Sequence, residues 1–446
     1  MKQKFVIEGL AGKKILNGEI KVNGAKNAVL PLLAATILLA RPAEFSNVPK
    51  IEDVARMLEL LKMLGAEFKW TGERTLKVDG NKISNQVLDD DNAKRMRASI
   101  LLAGPLLARF GKVSFPHPGG CVIGERPIDL FIEGFKKMGA TVSEKDGLYE
   151  ISTPNGLTGT DFFFRVSSVT GTETLMMAAV GAKGKTILKN AALEPEVVCL
   201  AEFLNSRGAR ITGFGTSEII IEGDQLLKEN GKIFPVIPDR IEAGSFLILG
   251  ALAADNLKIT DCQPDHLNSL IETLRFSGVK IEVGDNWLAV KNNAEVANET
   301  RRAVNPVREQ KFSNGVNIKT KEYPGFPTDL QAPLSVFLTQ VSGESLVHET
   351  IFEGRLNYVA DLEKMGADIK MWDAHRALVK GPTTLKGREL DGPDIRAGLA
   401  YILAAIIAEG ESIINNAYFI DRGYERIEER LQKIGVKIKR VDCEVC

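Results

Sequence analysis

The sequence predicts an α/β protein of two domains, built from six copies of one helix-and-strand unit. Three observations carry that expectation. The chain has 446 residues, more than one ordinary hydrophobic core serves. A large apolar residue, three more residues and then Gly followed by Ala or Val recurs six times, at Gly65, Gly139, Gly208, Gly278, Gly366 and Gly435. In phase with these glycines, six stretches are apolar around much of a helical circumference, the mark of buried helices.

Those apolar helices open the units, at Ala25–Leu30, Met96–Leu101, Gly171–Met176, Arg240–Ser245, Thr328–Pro333 and Ile395–Ala400. A second, amphipathic helix follows, often with Pro in its first turn (Pro49, Pro127, Pro195, Pro264) and closed by the repeated Gly in the left-handed region. Alternating residues such as Lys280–Val283 and Lys437–Val441 then read as half-buried strands. No such unit buries its apolar face alone, so the six share cores, three to a domain. The glycines lie 74, 69, 70, 88 and 69 residues apart. The long interval reflects a polar stretch at 291–319, expected to be a surface insertion without a catalytic role, since lengthening a loop costs only about 0.6 kcal/mol per doubling.

Composition excludes several classes. With 57 basic and 58 acidic residues the net charge is −1, which exerts no global pull on nucleic acid or membrane. The N-terminus lacks an apolar stretch of signal-peptide length, and the longest apolar run, Ala28 to Ala40, falls short of the ~20 residues of a membrane span. Five scattered cysteines show neither a disulfide framework nor paired zinc spacing, which points to a reducing, cytoplasmic compartment. There is no GxxxxGK[ST], GxGxxG or HExxH motif, and the four histidines have no metal-ligand spacing. Metal-free and cofactor-free acid–base and electrostatic chemistry is the expectation.

Cations stand where helix stability disfavours them. A helix N-terminus carries partial positive charge, so a cation there costs roughly 0.3–1 kcal/mol. Lys26, Arg97 and Arg396 nevertheless occupy first turns of opening helices, and Arg126, Arg355 and Arg422 lie near the starts of glycine-terminated ones. Six cations at equivalent phases of a repeat aim at common regions, and a helix N-terminus flanked by Arg or Lys binds anions through both. Asp329 takes the slot that a cation fills in three sibling units, which makes it the best candidate base; Asp239 and Glu242 bracket the same slot of the fourth unit and read first as a cap and a first-turn acid. Cys121 lies in a Gly- and Pro-punctuated loop beside Arg126 and just before a helix, conditions that lower a thiol pKa. Cys199 and Cys262 read as structural.

These residues fall in motifs. Gly24-Ala-Lys-Asn-Ala, Met96-Arg-Ala-Ser, Pro118-Gly-Gly-Cys-Val-Ile-Gly-Glu-Arg-Pro127, Ser168-Val-Thr-Gly-Thr-Glu, Pro238-Asp-Arg-Ile-Glu, Phe326-Pro-Thr-Asp-Leu-Gln, Phe352-Glu-Gly-Arg and Asp421-Arg-Gly-Tyr-Glu-Arg-Ile run in order along nearly the whole chain. Together they resemble the UDP-N-acetylglucosamine 1-carboxyvinyltransferase family, the insertion at 291–319 being the main departure. The resemblance implies an inside-out α/β barrel pair and a discontinuous first domain: residues 1–24 with 236–446, and 25–235 for the other domain, with the active site in a cleft between them.

It further implies that Lys26, Arg126 and Arg422, with Asn27 beside them, bind the phosphate of phosphoenolpyruvate, and that Arg355 and Arg396 surround its carboxylate and reacting carbon. Arg97, Arg126, Pro127, Ile128, Asp129, Leu130, Val166, Ser167, Ser168, Val169, Asp329 and Ile351 match the contacts to UDP-N-acetylglucosamine. Cys121 matches the residue that protonates the enolpyruvyl methylene and that fosfomycin alkylates. The implied reaction is addition–elimination at the sugar 3-hydroxyl with release of phosphate, the first committed step of peptidoglycan synthesis. Catalysis would rest on Cys121, Asp329, Lys26 and Arg396, in a cytoplasmic monomer or weak homo-oligomer that needs no metal, nucleic acid or membrane. Two alternatives stand beside it: transfer to shikimate 3-phosphate on the same fold, and a non-catalytic UDP-sugar-binding paralogue.

Overall fold

The computed structural model describes residues 3–88, 91–119, 128–224, 227–228, 230–291, 315–392 and 394–442, with the side chains of Asn92 and Arg95 left aside. Most of the polar stretch expected as an insertion lies outside the described residues. The described chain divides into two compact units. One takes the described residues of Met1–Val22 and Pro238–Cys446, the other those of Asn23–Cys121 and Arg126–Ile237. Among the described residues, no helix is long and apolar enough to cross a membrane.

All six repeat glycines have positive φ, from 91° at Gly139 to 109° at Gly65, which a residue with a Cβ adopts only with strain. A strand follows each of them, as at Glu67–Trp70, Thr141–Lys145 and Asp368–Asp373. The opening helices are buried almost all round. In Arg240–Ala253 every residue after Arg240 is buried, and in Ile395–Ile407 every residue is. Two of them begin differently from the expectation: Arg97–Leu102 and Thr328–Leu330 are 3₁₀ turns that lead into the α-helices Ala103–Phe110 and Gln331–Leu338. The Pro49 reading also needs correction. Its helix runs from Glu52, so Pro49 lies before the first turn, whereas Pro195 is the first residue of Pro195–Ser206.

Among the described residues each repeat contributes one sheet: five have four strands and one has three. The four-stranded sheets share a pattern, a parallel edge strand followed by antiparallel neighbours. In the three-stranded sheet a single parallel bridge, Val87 to Ser114, stands where the fourth strand would be. Strands from elsewhere in the chain complete three sheets. Gln3–Glu8 pairs antiparallel with Glu411–Asn415 and Lys437–Asp442 of the last repeat. Leu16–Lys21 lies parallel to Ala254–Thr260 in the fourth repeat, and Phe234–Pro235 parallel to Ala43–Ser46 in the first.

Buried helices pack closely enough to require glycine at one crossing. A Cβ on Gly104 would sit 2.2 Å from the carbonyl oxygen of Thr174, on the neighbouring helix Val169–Val180. Backbone cannot yield as a flexible side chain can, so Gly104→Ala is expected to destabilise the protein by about 1–3 kcal/mol, the usual range for overpacking. Urea denaturation of the variant checks this; an unchanged midpoint would mean that the two helices separate freely.

Candidate active-site residues

In the unit containing the chain termini, three site residues from three segments meet. Asp329 lies in the 3₁₀ turn Thr328–Leu330, Arg355 in the 3₁₀ turn Glu353–Leu356, and Arg396 in the first turn of Ile395–Ile407. Oδ1 of Asp329 accepts from Nη2 of Arg355, and Oδ2 accepts from Nη2 of Arg396 at 2.8 Å. Both guanidinium side chains are buried, at 5% and 8% exposure, while the carboxylate keeps 24%. Each oxygen of the candidate base is therefore bonded to a cation. Such a base accepts a substrate proton readily only when an incoming anion draws one guanidinium away.

Arg396 is fixed from behind. Its Nη1 donates to the hydroxyl of Tyr424 at 3.1 Å. The Ser245 hydroxyl donates to the Ile241 carbonyl at 2.7 Å, which leaves the Tyr424 hydroxyl, 3.3 Å away, to donate to Ser245. Burial alone pulls the guanidinium pKa down, but the nearby carboxylates of Asp329 and Asp239 and the contact with the Tyr424 hydroxyl outweigh it and raise it above the usual arginine value. The cation at this helix start does not lack a cap: Asp394 accepts from the backbone N–H groups of Arg396 and Ala397 at 2.7 and 3.2 Å. Asp239 is likewise a cap, accepting from Ile241 and Glu242 at 2.8 and 3.0 Å. Glu242 pairs with Arg430. Arg422 is buried two residues before Tyr424, and Ile351 lies four before Arg355.

The other unit holds the remaining described candidates. Lys26 is the first residue of Lys26–Ala35, followed by Asn27, and its ammonium pairs with Asp53 at 2.6 Å. Asp53 is buried in the first turn of Glu52–Leu64, where the helix dipole also favours an anion. The Arg97 guanidinium lies over the ring of Phe131 at 5.9 Å, which joins it to the helix Asp129–Lys137 entered through Ile128, Asp129 and Leu130. Asp129 pairs with Arg165 at 2.7 Å, and the chain continues through Val166 and Ser167 to Ser168, whose hydroxyl caps Val169–Val180 by accepting from Gly171 at 3.1 Å. Arg97, residues 128–130 and the segment at 165–169 thus lie around one helix start. Cys121, Arg126 and Pro127 lie outside the described residues.

Sequence reasoning missed Asp53, Arg165, Ser245, Glu349 and the role of Tyr424. Asp53 was legible as a first-turn acid, but its partner is remote in sequence. Cys199 and Cys262 are buried, and burial pushes their thiols up to about 12 and about 11, so neither supplies thiolate near neutral pH.

One buried acid in this unit gives a pH-dependent expectation. Burial, reinforced by the neighbouring Glu196 and Glu194, raises the carboxyl pKa of Glu173 well above its ordinary value of 4.5. A raised folded-state pKa contributes stability below the unfolded value and loses it as pH rises through the folded one. Glu173→Gln, which cannot ionise, is therefore expected to be more stable than the parent at pH 8 and to lose that advantage near pH 4. Thermal melts at the two pH values check this; a pH-independent difference would remove the ionisation argument.

The EPSP synthase (3-phosphoshikimate 1-carboxyvinyltransferase) family model matches residues 10–431. The chain is 41% identical over 436 residues to a protein of Coxiella burnetii (strain RSA 493 / Nine Mile phase I) named UDP-N-acetylglucosamine 1-carboxyvinyltransferase, covering 98% of this chain and 96% of that one. It is 41% identical over 432 residues to a protein of the same name from Desulforapulum autotrophicum, covering 97% and 99%. Among solved structures it resembles the enolpyruvyl transferase NikO from Streptomyces tendae, with TM-score 0.83, 23% identity and 99% of each chain covered. It also resembles the EPSP synthase of Acinetobacter baumannii, with TM-score 0.72, 16% identity and 99% and 100% covered. At these identities the two structures speak for the fold alone.

Proposed function

The chain belongs to the EPSP synthase family and to its UDP-N-acetylglucosamine 1-carboxyvinyltransferase branch, and from that premise we propose how its residues perform the transfer. The protein moves the enolpyruvyl group of phosphoenolpyruvate to the 3-hydroxyl of UDP-N-acetylglucosamine and releases phosphate. The observation that carries the assignment of roles is the Asp329 carboxylate bonded on both oxygens by the buried Arg355 and Arg396. A carboxylate substrate competes for those guanidiniums, and what it takes from Asp329 it leaves free to accept a proton.

In the addition step Asp329 accepts the proton of the sugar 3-hydroxyl, the oxygen bonds to C2 of phosphoenolpyruvate, and Cys121 delivers a proton to C3. In the elimination step the Cys121 thiolate takes a proton back from the new methyl group and the C2–O bond to phosphate breaks, giving the enolpyruvyl ether, while the proton held by Asp329 leaves with the phosphate. Arg355 and Arg396 hold the carboxylate through both steps, while Lys26, Arg126 and Arg422, with Asn27, take the charge of the phosphate. Arg97, Arg126, Pro127, Ile128, Asp129, Leu130, the segment Val166–Val169 and Ile351 take the nucleotide sugar. Preorganised cations of this kind stabilise charge that grows in the transition state without reorganising. Both substrates are water-soluble, and the assigned setting is the cytoplasm, at the start of bacterial cell-wall synthesis, with fosfomycin as a covalent inhibitor at Cys121.

Phosphate release measured with phosphoenolpyruvate and each acceptor in turn tests the assignment. Release is expected with UDP-N-acetylglucosamine, none with shikimate 3-phosphate, and loss of release after fosfomycin treatment. Release with shikimate 3-phosphate alone would reassign the substrate. Ligand binding without release from either acceptor would make the protein a UDP-sugar-binding paralogue.

A further inference from the structure

Glu349 is a buried carboxylate that the reaction scheme leaves unused. It follows the strand Gly343–His348 and is 0% exposed. Its Oε1 accepts from the backbone N–H groups of Ile351 at 2.8 Å and Phe352 at 3.1 Å, and its Oε2 accepts from the Thr328 hydroxyl at 2.9 Å. The main chain of the same residue is anchored as well: its N–H donates to the His375 carbonyl at 2.8 Å, and its own carbonyl meets His375 Nδ1 at 3.1 Å.

The three donors on the side chain belong to two segments that matter. Thr328 immediately precedes Asp329, and Phe352 immediately precedes the 3₁₀ turn that carries Arg355. One carboxylate therefore ties the turn of the candidate base to the turn of the guanidinium paired with it. A buried ion is costly unless fully hydrogen-bonded, and an apolar side chain would fill the same volume without that cost.

The repeat supplies a second observation. After the corresponding strand, four sibling repeats carry a short Asn or Asp with positive φ: Asn47 at 56°, Asn190 at 54°, Asp261 at 53° and Asn416 at 57°. Each of these residues directly follows its strand, and two of them bond a remote main-chain carbonyl, Asn47 that of Val236 at 3.0 Å and Asn190 that of Phe164 at 2.8 Å. The fifth repeat has instead a longer acid that is not among the positive-φ residues and accepts from donors of two turns that carry site residues. The departure falls in the repeat where Asp329 takes the slot that Lys26, Arg97 and Arg396 fill in three siblings.

We propose that Glu349 is a positioning residue for the transfer: it fixes the register between Asp329 and Arg355, so that the base lies correctly when the substrate carboxylate engages the arginines. The inference rests on the reaction assigned above. Displacement of a catalytic group by about 1 Å can cost 10²-fold in rate, so Glu349→Ala is expected to lower kcat per folded molecule about 100-fold. The KM for UDP-N-acetylglucosamine should rise by less than kcat falls, because Ile351 and Asp329 are the assigned sugar contacts beside Glu349, while Arg97, residues 128–130 and residues 166–169 belong to the other unit. Glu349→Gln keeps an oxygen for the two N–H groups and an amide facing Thr328, and should recover kcat to within about tenfold of the parent. Thr328→Val keeps shape and removes only the hydroxyl; it should lower kcat about tenfold, the factor that one hydrogen bond to a charged group commands.

Kinetics of the four proteins and of the Thr328→Val/Glu349→Gln double variant, normalised to folded protein by circular dichroism, test the proposal. Because both substitutions act on the one link between Thr328 and residue 349, the double variant should be no slower than the slower single. Unchanged kcat per folded molecule in Thr328→Val overturns the positioning role, and so do effects that multiply in the double variant. If Glu349→Ala fails to fold, Thr328→Val and the double variant still decide. A parent protein that releases no phosphate removes the proposed function and the positioning role together; a parent that turns over beside unaffected variants removes the positioning role alone.

Discussion

Asp329→Asn is expected to lower kcat by about 10²–10⁴, the scale of a positioned general base, and to destabilise the fold at the same time. The two effects have separate causes. Turnover falls because an amide oxygen is too weakly basic to take the sugar hydroxyl proton. Stability falls because Arg355 and Arg396, buried at 5% and 8% side-chain exposure, share this one carboxylate. Removing one partner of a buried pair commonly costs about 3–5 kcal/mol, since it leaves buried charge uncompensated. Phosphate release per folded molecule reads the first effect and urea denaturation the second. Added phosphoenolpyruvate should recover part of the lost stability, because its carboxylate supplies the missing anion. Parent-like turnover in Asp329→Asn would remove the base assignment, whatever the stability shows.

The second large effect is expected at Cys121. Cys121→Ala should lower turnover by about 10²–10⁴, the range of a general acid, while the affinity for UDP-N-acetylglucosamine stays near that of the parent. A group that acts on the transition state and not on the bound sugar moves kcat and leaves binding alone. Isothermal titration with the nucleotide sugar, beside the phosphate-release assay, separates the two. Full activity in the variant would sink the proton-donor role. A matching loss of binding would make Cys121 a binding residue instead. Cys199 and Cys262 form an internal contrast, since burial holds both thiols far from ionisation. Fosfomycin adducts mapped by mass spectrometry are therefore expected at Cys121 and at neither of these two.

Local chemistry explains what could be read without coordinates. A left-handed Gly after an amphipathic stretch ends a helix wherever it occurs, so all six repeat boundaries were visible, and the positive φ at each follows. Helices apolar all round must be buried, so Ile395–Ile407 and Arg240–Ala253 were legible as core. Where the reading failed, the cause was equally local. Pro49 resembled a first-turn proline, but Ile51 in extended conformation intervenes before the helix. The opening turn at Thr328 winds as a 3₁₀ turn, a choice that periodicity does not distinguish over three residues.

By itself the sequence determined the six repeats, the buried helices and the identities of the ionisable groups, because caps, glycines and periodicity act over a few residues. The six misplaced cations marked a need for anions, but they could not say which charges would meet. Tertiary structure alone decided that Arg355 and Arg396 converge on Asp329 from 26 and 67 residues away, and that Lys26 faces Asp53. It alone made Glu349 a tie between two turns. The strand Gln3–Glu8 completing the last repeat's sheet belongs to the same class. Pairings of this kind depend on how the units pack, and packing energy is a sum over contacts between residues that no short stretch of sequence contains.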